Sequence, residues 1–144
     1  MTQEFSLPIR VYIEDTDAGG IVYYVNYLKY FERARTEYMR ALGFNKPALF
    51  GDGTLFVVVD VAAKYARPAV LDDALEVTAS VEDVGAATII FHQTVRRHDE
   101  LLVDGRVTIA LVSAETGRPC RLPKSLRSAL VQGGTKVTQI EDRA

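Results

Sequence analysis

The 144-residue chain has one cysteine, Cys120. An internal disulfide is therefore impossible, and disulfide scaffolds and cysteine-rich zinc modules are excluded. An excess of one charge is missing too: 17 Lys and Arg stand against 19 Asp and Glu, for a formal charge of -2. That balance lacks the basic footprint of a nucleic-acid-binding domain or of a surface drawn to anionic membranes. No apolar run approaches the ~20 residues that span a bilayer. Met1-Thr2-Gln3-Glu4-Phe5 has neither the basic start nor the apolar stretch of a signal peptide. Repeats and low-complexity tracts are absent. These absences point to a cytoplasmic protein with no membrane span and no nucleic-acid partner.

What is present is globular. Apolar residues make up 48% and charged residues 25%, the composition of a packed domain. A chain of this size buries about 68–70% of its unfolded surface, so it needs neither disulfide nor metal to fold. We expect one domain over residues 1–130. Val131-Gln132-Gly133-Gly134 is expected to open a flexible tail, 131–144.

The apolar pattern predicts an α+β layer. Residues 5–13 end in Val11, Tyr12 and Ile13, which favour a strand. The stretch 14–22, EDTDAGGIV, has the chemistry of a loop. Tyr27, Phe31, Ala34 and Tyr38 then fall at helical spacing, widened by Leu28, Met39 and Leu42, which predicts a helix of about five turns stopping at Gly43. Glu32–Arg35, Arg33–Glu37 and Glu37–Arg40 are spaced for side-chain pairs. Four strands follow, expected as an antiparallel meander. Val57, Val59 and Val61 are expected in the core, Leu75, Val77, Ala79 and Val81 on one face of the next strand, and Leu101, Val103, Val107, Ile109 and Leu111 on a long last one. A short helix is expected from Leu122-Pro123-Lys124-Ser125 to about Leu130.

The loop before the long helix carries the chemistry. Asp17 precedes a helix N-terminus, where free N–H groups polarise a carbonyl oxygen and stabilise an oxyanion. Paired glycines let the backbone turn sharply and approach a ligand. Asp17 fits a general base acting on water or a nucleophile attacking a carbonyl. The same residues also read as plain turn and cap chemistry.

With these residues in place, the chain resembles the hotdog-fold acyl-CoA thioesterases, in the branch of the 4-hydroxybenzoyl-CoA thioesterases and the Tol–Pal-associated thioesterases. The resemblance runs from about Ile9 to Leu126. It rests on EDTDAGGIVYYVNYLKYFERARTEY at 14–38, KYARPAVLDDALEV at 64–77 and GRPCRLPKSL at 117–126. Asp17, Gly20, Val22, Tyr24 and Tyr27 match the family's pattern.

The resemblance implies a hotdog fold, a long helix wrapped by a five- or six-stranded antiparallel sheet. It implies homodimers with active sites at the subunit interface, often paired into tetramers. It implies hydrolysis of an acyl-CoA with no metal or other cofactor. Asp17 would be the catalytic carboxylate, and the Tyr24 backbone N–H would bind the thioester carbonyl. Gly20 and Val22 would shape the substrate loop. Many Tol–Pal-type members carry His where this chain has Tyr24, but a backbone donor survives either side chain. Glu32 corresponds to an acidic residue that contacts a ring hydroxyl in some aryl-CoA members; it also reads as the partner of Arg35. Phe56, Val58 and Asp60 would border the acyl pocket. Lys64, Arg67, Arg121, Lys124 and Ser125 are candidates for the CoA phosphates. Some aryl-CoA members carry a basic cluster in the turn that here is the neutral Gly85-Ala86-Ala87.

Other residues read more plainly. His92 and His98 stand too far apart along a strand to share a metal. Cys120 has no partner motif and reads as an inert thiol. Two further functions stay open. A hotdog hydratase or dehydratase relies on a His near the helix start, and this chain has none before residue 92. A non-catalytic acyl-CoA binding module would bind esters without turnover.

Overall fold

The computed structural model describes residues 4–44, 49–50 and 53–134. Its longest helix, α1 (Val25–Ala41), buries Tyr27, Tyr30, Phe31, Ala34, Arg35, Tyr38 and Met39. Those positions follow the i, i+3, i+4 repeat of one helical face. The helix closes on Gly43, whose φ is 98°. The Phe44 N–H reaches back to the Met39 carbonyl at 3.0 Å and the Gly43 N–H to Arg40 at 2.9 Å, bonds that satisfy carbonyls a helix end leaves open.

Six strands form one antiparallel sheet: β1 (Phe5–Arg10), β2 (Leu49–Phe50), β3 (Thr54–Tyr65), β4 (Ala74–Val84), β5 (Thr88–Arg97) and β6 (Glu100–Ser113). Their spatial order is β1-β4-β5-β6-β3-β2. Helix α1 packs against β1, β4 and β5, with Tyr38 edge-on to Phe91 at 5.9 Å. This is the hotdog arrangement, α+β. Helix α2 (Lys124–Gly134) packs on β4 through the buried Leu126 and Leu130, with Leu122 just ahead of it.

Several expectations are corrected. The four later strands are not a meander. Only β4-β5-β6 is, while β3 crosses to pair with β6 and β1 takes the place beside β4. Strand β1 stops at Arg10. The Tyr12 N–H bonds Asp15 Oδ2 and the Asp15 N–H returns to the Tyr12 carbonyl, both at 2.9 Å. These local bonds turn Ile13–Asp15 into a 3₁₀ turn instead of strand.

Val57 is half-buried, and Val59 and Val61 are 55% and 40% exposed. A bulge between Val58 and Asp60 breaks the alternation, so Val57 and Val61 fall on opposite faces of β3. From Val57 to Tyr65 the outer edge of β3 has no partner strand among the described residues. An irregularity at Val95/Arg96 shifts the β5–β6 register, leaving Leu101 exposed and Leu102 buried. Thr78, on the expected polar face of β4, is buried against Thr94 with hydroxyls 2.6 Å apart. Helix α2 runs through Gly134, past the end expected at about Leu130; residues 135–144 of the expected tail lie outside the described residues. The Glu37–Arg40 pair forms at 2.6 Å. The Glu32–Arg35 pair does not: Arg35 turns inward to Gln93, and Glu32 accepts from Thr36 instead.

Candidate active site

The loop between β1 and α1 is held by its own hydrogen bonds. Thr16 and Val22 face each other in an antiparallel bridge. Inside it the Asp17 N–H donates to Ile21 at 2.9 Å and the Gly20 N–H to Asp17 at 3.0 Å. The turn needs a left-handed residue at Gly20, whose φ is 82°. The Asp17 side chain is fixed from below: Oδ1 accepts the Gly19 N–H at 2.8 Å. A β-carbon on Gly19 would stand 3.2 Å from that oxygen. The paired glycines thus have separate tasks, one anchoring the carboxylate and one turning the chain. Asp17 itself is exposed.

The loop is tied to the segment before β4. The Val22 N–H donates to the Ala69 carbonyl at 2.9 Å, Ile21 bridges Val70, and the buried Tyr27 hydroxyl accepts the Ala69 N–H at 3.0 Å. Burial raises the Tyr27 pKa, partly offset by that bond, so the phenol stays protonated as it accepts. Arg97 clamps the far side, with Nη1 on Asp73 at 2.6 Å and Nη2 on Glu100 at 2.9 Å. Those carboxylates, Glu100 first, raise the Arg97 pKa.

Helix α1 opens beside this loop without a side-chain cap. The Asn26 and Tyr27 N–H groups turn back to the Tyr23 and Tyr24 carbonyls at 2.8 and 3.2 Å. The Tyr24 N–H has no acceptor among the described residues. An uncapped N–H at a helix start carries the positive end of the helix dipole. The Tyr24 side chain joins a set of aromatic rings: its centroid lies 5.1 Å from that of Tyr23 and 6.1 Å from that of Tyr65, and Tyr65 lies 5.6 Å from Tyr27.

A cleft opens further along α1, against β3. Met39, Phe56, Val58, Phe91 and Ile109 give it apolar walls; Glu32, Arg35 and Thr36 are its polar members. The structure therefore brings Glu32 and Val58 together. Gly20, Val22 and Tyr24 lie with Asp17 in the loop region. Arg67 is at this end of the fold too, but its Nε is paired with Glu100 at 2.9 Å.

Lys124 and Ser125 begin α2, and the chain just before them is tied to the β4–β5 turn by the Leu122 N–H on Ala86 at 2.8 Å. The Asp17 loop is anchored at the opposite end of β4, roughly 35 Å away along an eleven-residue strand. Within one chain the structure does not bring Lys124 or Ser125 to Asp17. The neutral turn at Gly85 does receive a cation that sequence reasoning missed: Arg127 of α2 donates to the Gly85 carbonyl. His92 faces away from α1, its Nε2 on Asp104 at 2.6 Å. Among the described residues no three His, Cys, Asp or Glu side chains cluster as metal ligands, and no helix is long and apolar enough to cross a membrane.

Sequence reasoning also missed Gly19 as the anchor of Asp17 and the contacts of Tyr24 with Tyr23 and Tyr65. An Asp two residues before a Gly carries a signal for the first, because its side chain reaches the N–H two residues on. The Tyr65 contact joins distant parts of the chain and leaves no local mark.

Known proteins share this chain's sequence and fold. The family model described as the thioesterase-like superfamily matches residues 11–130. The acyl-CoA thioesterase YbgC of Haemophilus influenzae is 45% identical over 126 residues, 87% of this chain and 93% of that one. The acyl-CoA thioester hydrolase YbgC of Escherichia coli is 39% identical over the same span, 94% of its own length. Among solved structures, a probable thioesterase from Bartonella henselae superposes with a TM-score of 0.79 at 35% identity, covering 84% of this chain and all of that one. A helix wrapped by one antiparallel sheet is the fold that this chain shares with that thioesterase structure. This chain belongs to the thioesterase-like superfamily.

Proposed function

We propose that the protein is an acyl-CoA thioesterase that uses Asp17 and the Tyr24 backbone N–H. One observation carries the reading: the Asp17 carboxylate, pinned by Gly19, stands on the loop leading to a helix start without a side-chain cap, whose Tyr24 N–H has no acceptor among the described residues. The two YbgC relatives are named for this hydrolysis.

In the reaction, the thioester oxygen accepts the Tyr24 N–H. Asp17 takes a proton from water, and the resulting hydroxide adds to the carbonyl carbon. The negative charge gathers on the oxygen held at the helix start. Collapse breaks the C–S bond, and the CoA thiolate takes the proton back from Asp17. In the covalent variant Asp17 adds first, CoA leaves, and water opens the mixed anhydride. Gly20 and Val22 shape the loop around the reacting carbon, while Glu32 and Val58 border the acyl group. Arg67 releases Glu100 to meet a CoA phosphate. Lys124 and Ser125 enter this reading only from a second subunit.

The enzyme acts as a homodimer, paired again into a tetramer. The bare β3 edge from Val57 to Tyr65, with its exposed valines, supports that assembly.

The deciding experiment is thiol release from acetyl-, hexanoyl-, palmitoyl-, benzoyl- and 4-hydroxybenzoyl-CoA, run beside Asp17→Asn. The variant keeps an oxygen for the Gly19 N–H and so keeps the turn. We expect turnover of at least one ester and a loss of about 10²–10⁴-fold in the variant. Undiminished activity in Asp17→Asn sinks the assignment.

A further inference from the structure

The cleft beside α1 holds a charge that forms no ion pair among the described residues. Arg35 is only 9% exposed. Its Nη1 donates to Gln93 Oε1 at 3.0 Å, a neutral acceptor, and no carboxylate lies within ion-pair distance among the described residues. Gln93 is fixed in turn, because its Nε2 donates to the Phe31 and Thr78 carbonyls at 2.9 and 3.3 Å. The Arg35 Nε and Nη2 have no acceptor among the described residues. Burial lowers the Arg35 pKa to about 10, so the guanidinium still carries its charge at neutral pH. A buried charge without a partner is unfavourable, and a ligand atom that pairs it relieves that penalty.

The surroundings define the ligand. The cleft encloses about 140 Å³, close to the roughly 150 Å³ of an engineered cavity that takes up benzene. Its walls are mostly apolar, so they suit a hydrocarbon of about six carbons. Arg35 is donor-only, which requires an accepting oxygen on whatever fills the cleft. Glu32 acts on Arg35 at a distance, while its own Oε2 accepts the Thr36 hydroxyl at 3.2 Å.

We infer that Arg35 reads the far end of the acyl group, and that preferred substrates carry an accepting oxygen there, a hydroxyl or a carboxylate, instead of a bare methyl. This rests on the thioesterase reading. The two oxygen groups differ at Glu32. A hydroxyl accepts from Arg35 and donates to Glu32. A carboxylate takes two bonds from Arg35 but is repelled by Glu32.

The test uses three esters of one chain length: hexanoyl-, 6-hydroxyhexanoyl- and hexanedioyl-CoA. Thiol release gives kcat/KM and calorimetry gives affinity. We expect at least one oxygen-ended ester to exceed hexanoyl-CoA by about tenfold, the effect of one hydrogen bond to a charged group. Arg35→Met should erase that advantage, and Arg35→Lys should keep part of it. Glu32→Gln identifies the group, lowering the preference for a hydroxyl end or raising it for a carboxylate end.

Hexanoyl-CoA matching or beating both esters in the native protein overturns the inference. So does an equal loss on all three in Arg35→Met. The native ranking decides the matter even where Arg35 variants do not fold. Binding that favours an oxygen end without any hydrolysis removes the thioesterase reading and leaves the Arg35 assignment standing. Binding that does not distinguish the three overturns the assignment as well.

Discussion

The ring of Phe31 lies against the backbone of Gly105: a β-carbon there would stand 2.6 Å from Cε2 and 3.0 Å from Cζ. That contact seats the middle of α1 on β6. It also fixes the Phe31 carbonyl that holds Gln93, and through Gln93 the Arg35 guanidinium. Gly105→Ala should therefore lift the helix off the sheet. We expect a loss of about 1–3 kcal/mol, the usual penalty for overpacking a core. Urea unfolding checks it: the midpoint should fall with little change in slope. An unchanged midpoint would mean that the helix shifts without resistance.

Tyr27 joins the helix start to the segment that backs the Asp17 loop. Tyr27→Phe leaves the Ala69 N–H without its acceptor, while Ala69 must still accept from Val22. A buried donor left unpaired costs about 1–3 kcal/mol. The thermal midpoint should drop accordingly, and amide exchange at Ala69 should quicken. Because the loop that carries Asp17 loosens with it, kcat should fall by more than KM rises.

Tyr38 gives a pH signature. Its hydroxyl is buried and has no hydrogen-bond partner among the described residues. Burial raises its pKa from 10.0 to about 12. The folded pKa lies above the unfolded one, so this contribution to stability is complete below pH 10 and is lost as pH rises toward 12, by about 3 kcal/mol in all. Arg35 works in the opposite sense. Its folded pKa is depressed, so the penalty of burying it eases as pH rises past 10. Comparing native protein with Tyr38→Phe in urea at pH 8 and pH 11.5 separates the two. The variant should match or exceed the native protein at pH 8 and lose less stability at pH 11.5. Parallel losses would show that Tyr38 does not titrate with unfolding.

The elements with a one-dimensional signature are legible in the sequence. Tyr27 to Met39 repeat at helical spacing, Leu75 to Val81 alternate, and the Asp-Ala-Gly-Gly turn reads as a loop at a helix start. What depends on distant partners was not legible. Glu32 and Arg35 have the spacing of a surface pair, yet Arg35 turns to Gln93, 58 residues away. Lys124 and Ser125 do start a helix, but the crossover of β3 and the length of β4 put that helix at the other end of the sheet from Asp17. Val57, Val59 and Val61 alternate like core residues in the sequence, but a bulge between Val58 and Asp60 breaks that alternation, and the pattern does not record which chain covers the strand.

That last ambiguity leads to a test of assembly. Val59 and Val61 are exposed on a strand whose outer edge is unpaired from Val57 to Tyr65 among the described residues. Bare apolar edges pair with another chain unless something blocks them. Antiparallel pairing of this edge with its own copy, centred on the open stretch, sets Val61 opposite Val61. A lysine there would face a second lysine, and like charges directly across a strand pair repel. Val61→Lys should thus convert a dimer into a single chain of 15.9 kDa in light scattering. Since Val61 is already partly exposed, the monomer's circular dichroism should stay native. If the site is completed by the partner, thioester hydrolysis should fall at least tenfold along with the dimer. A variant that remains dimeric and active would place the subunit contact on another face of the sheet and leave the β3 valines unexplained.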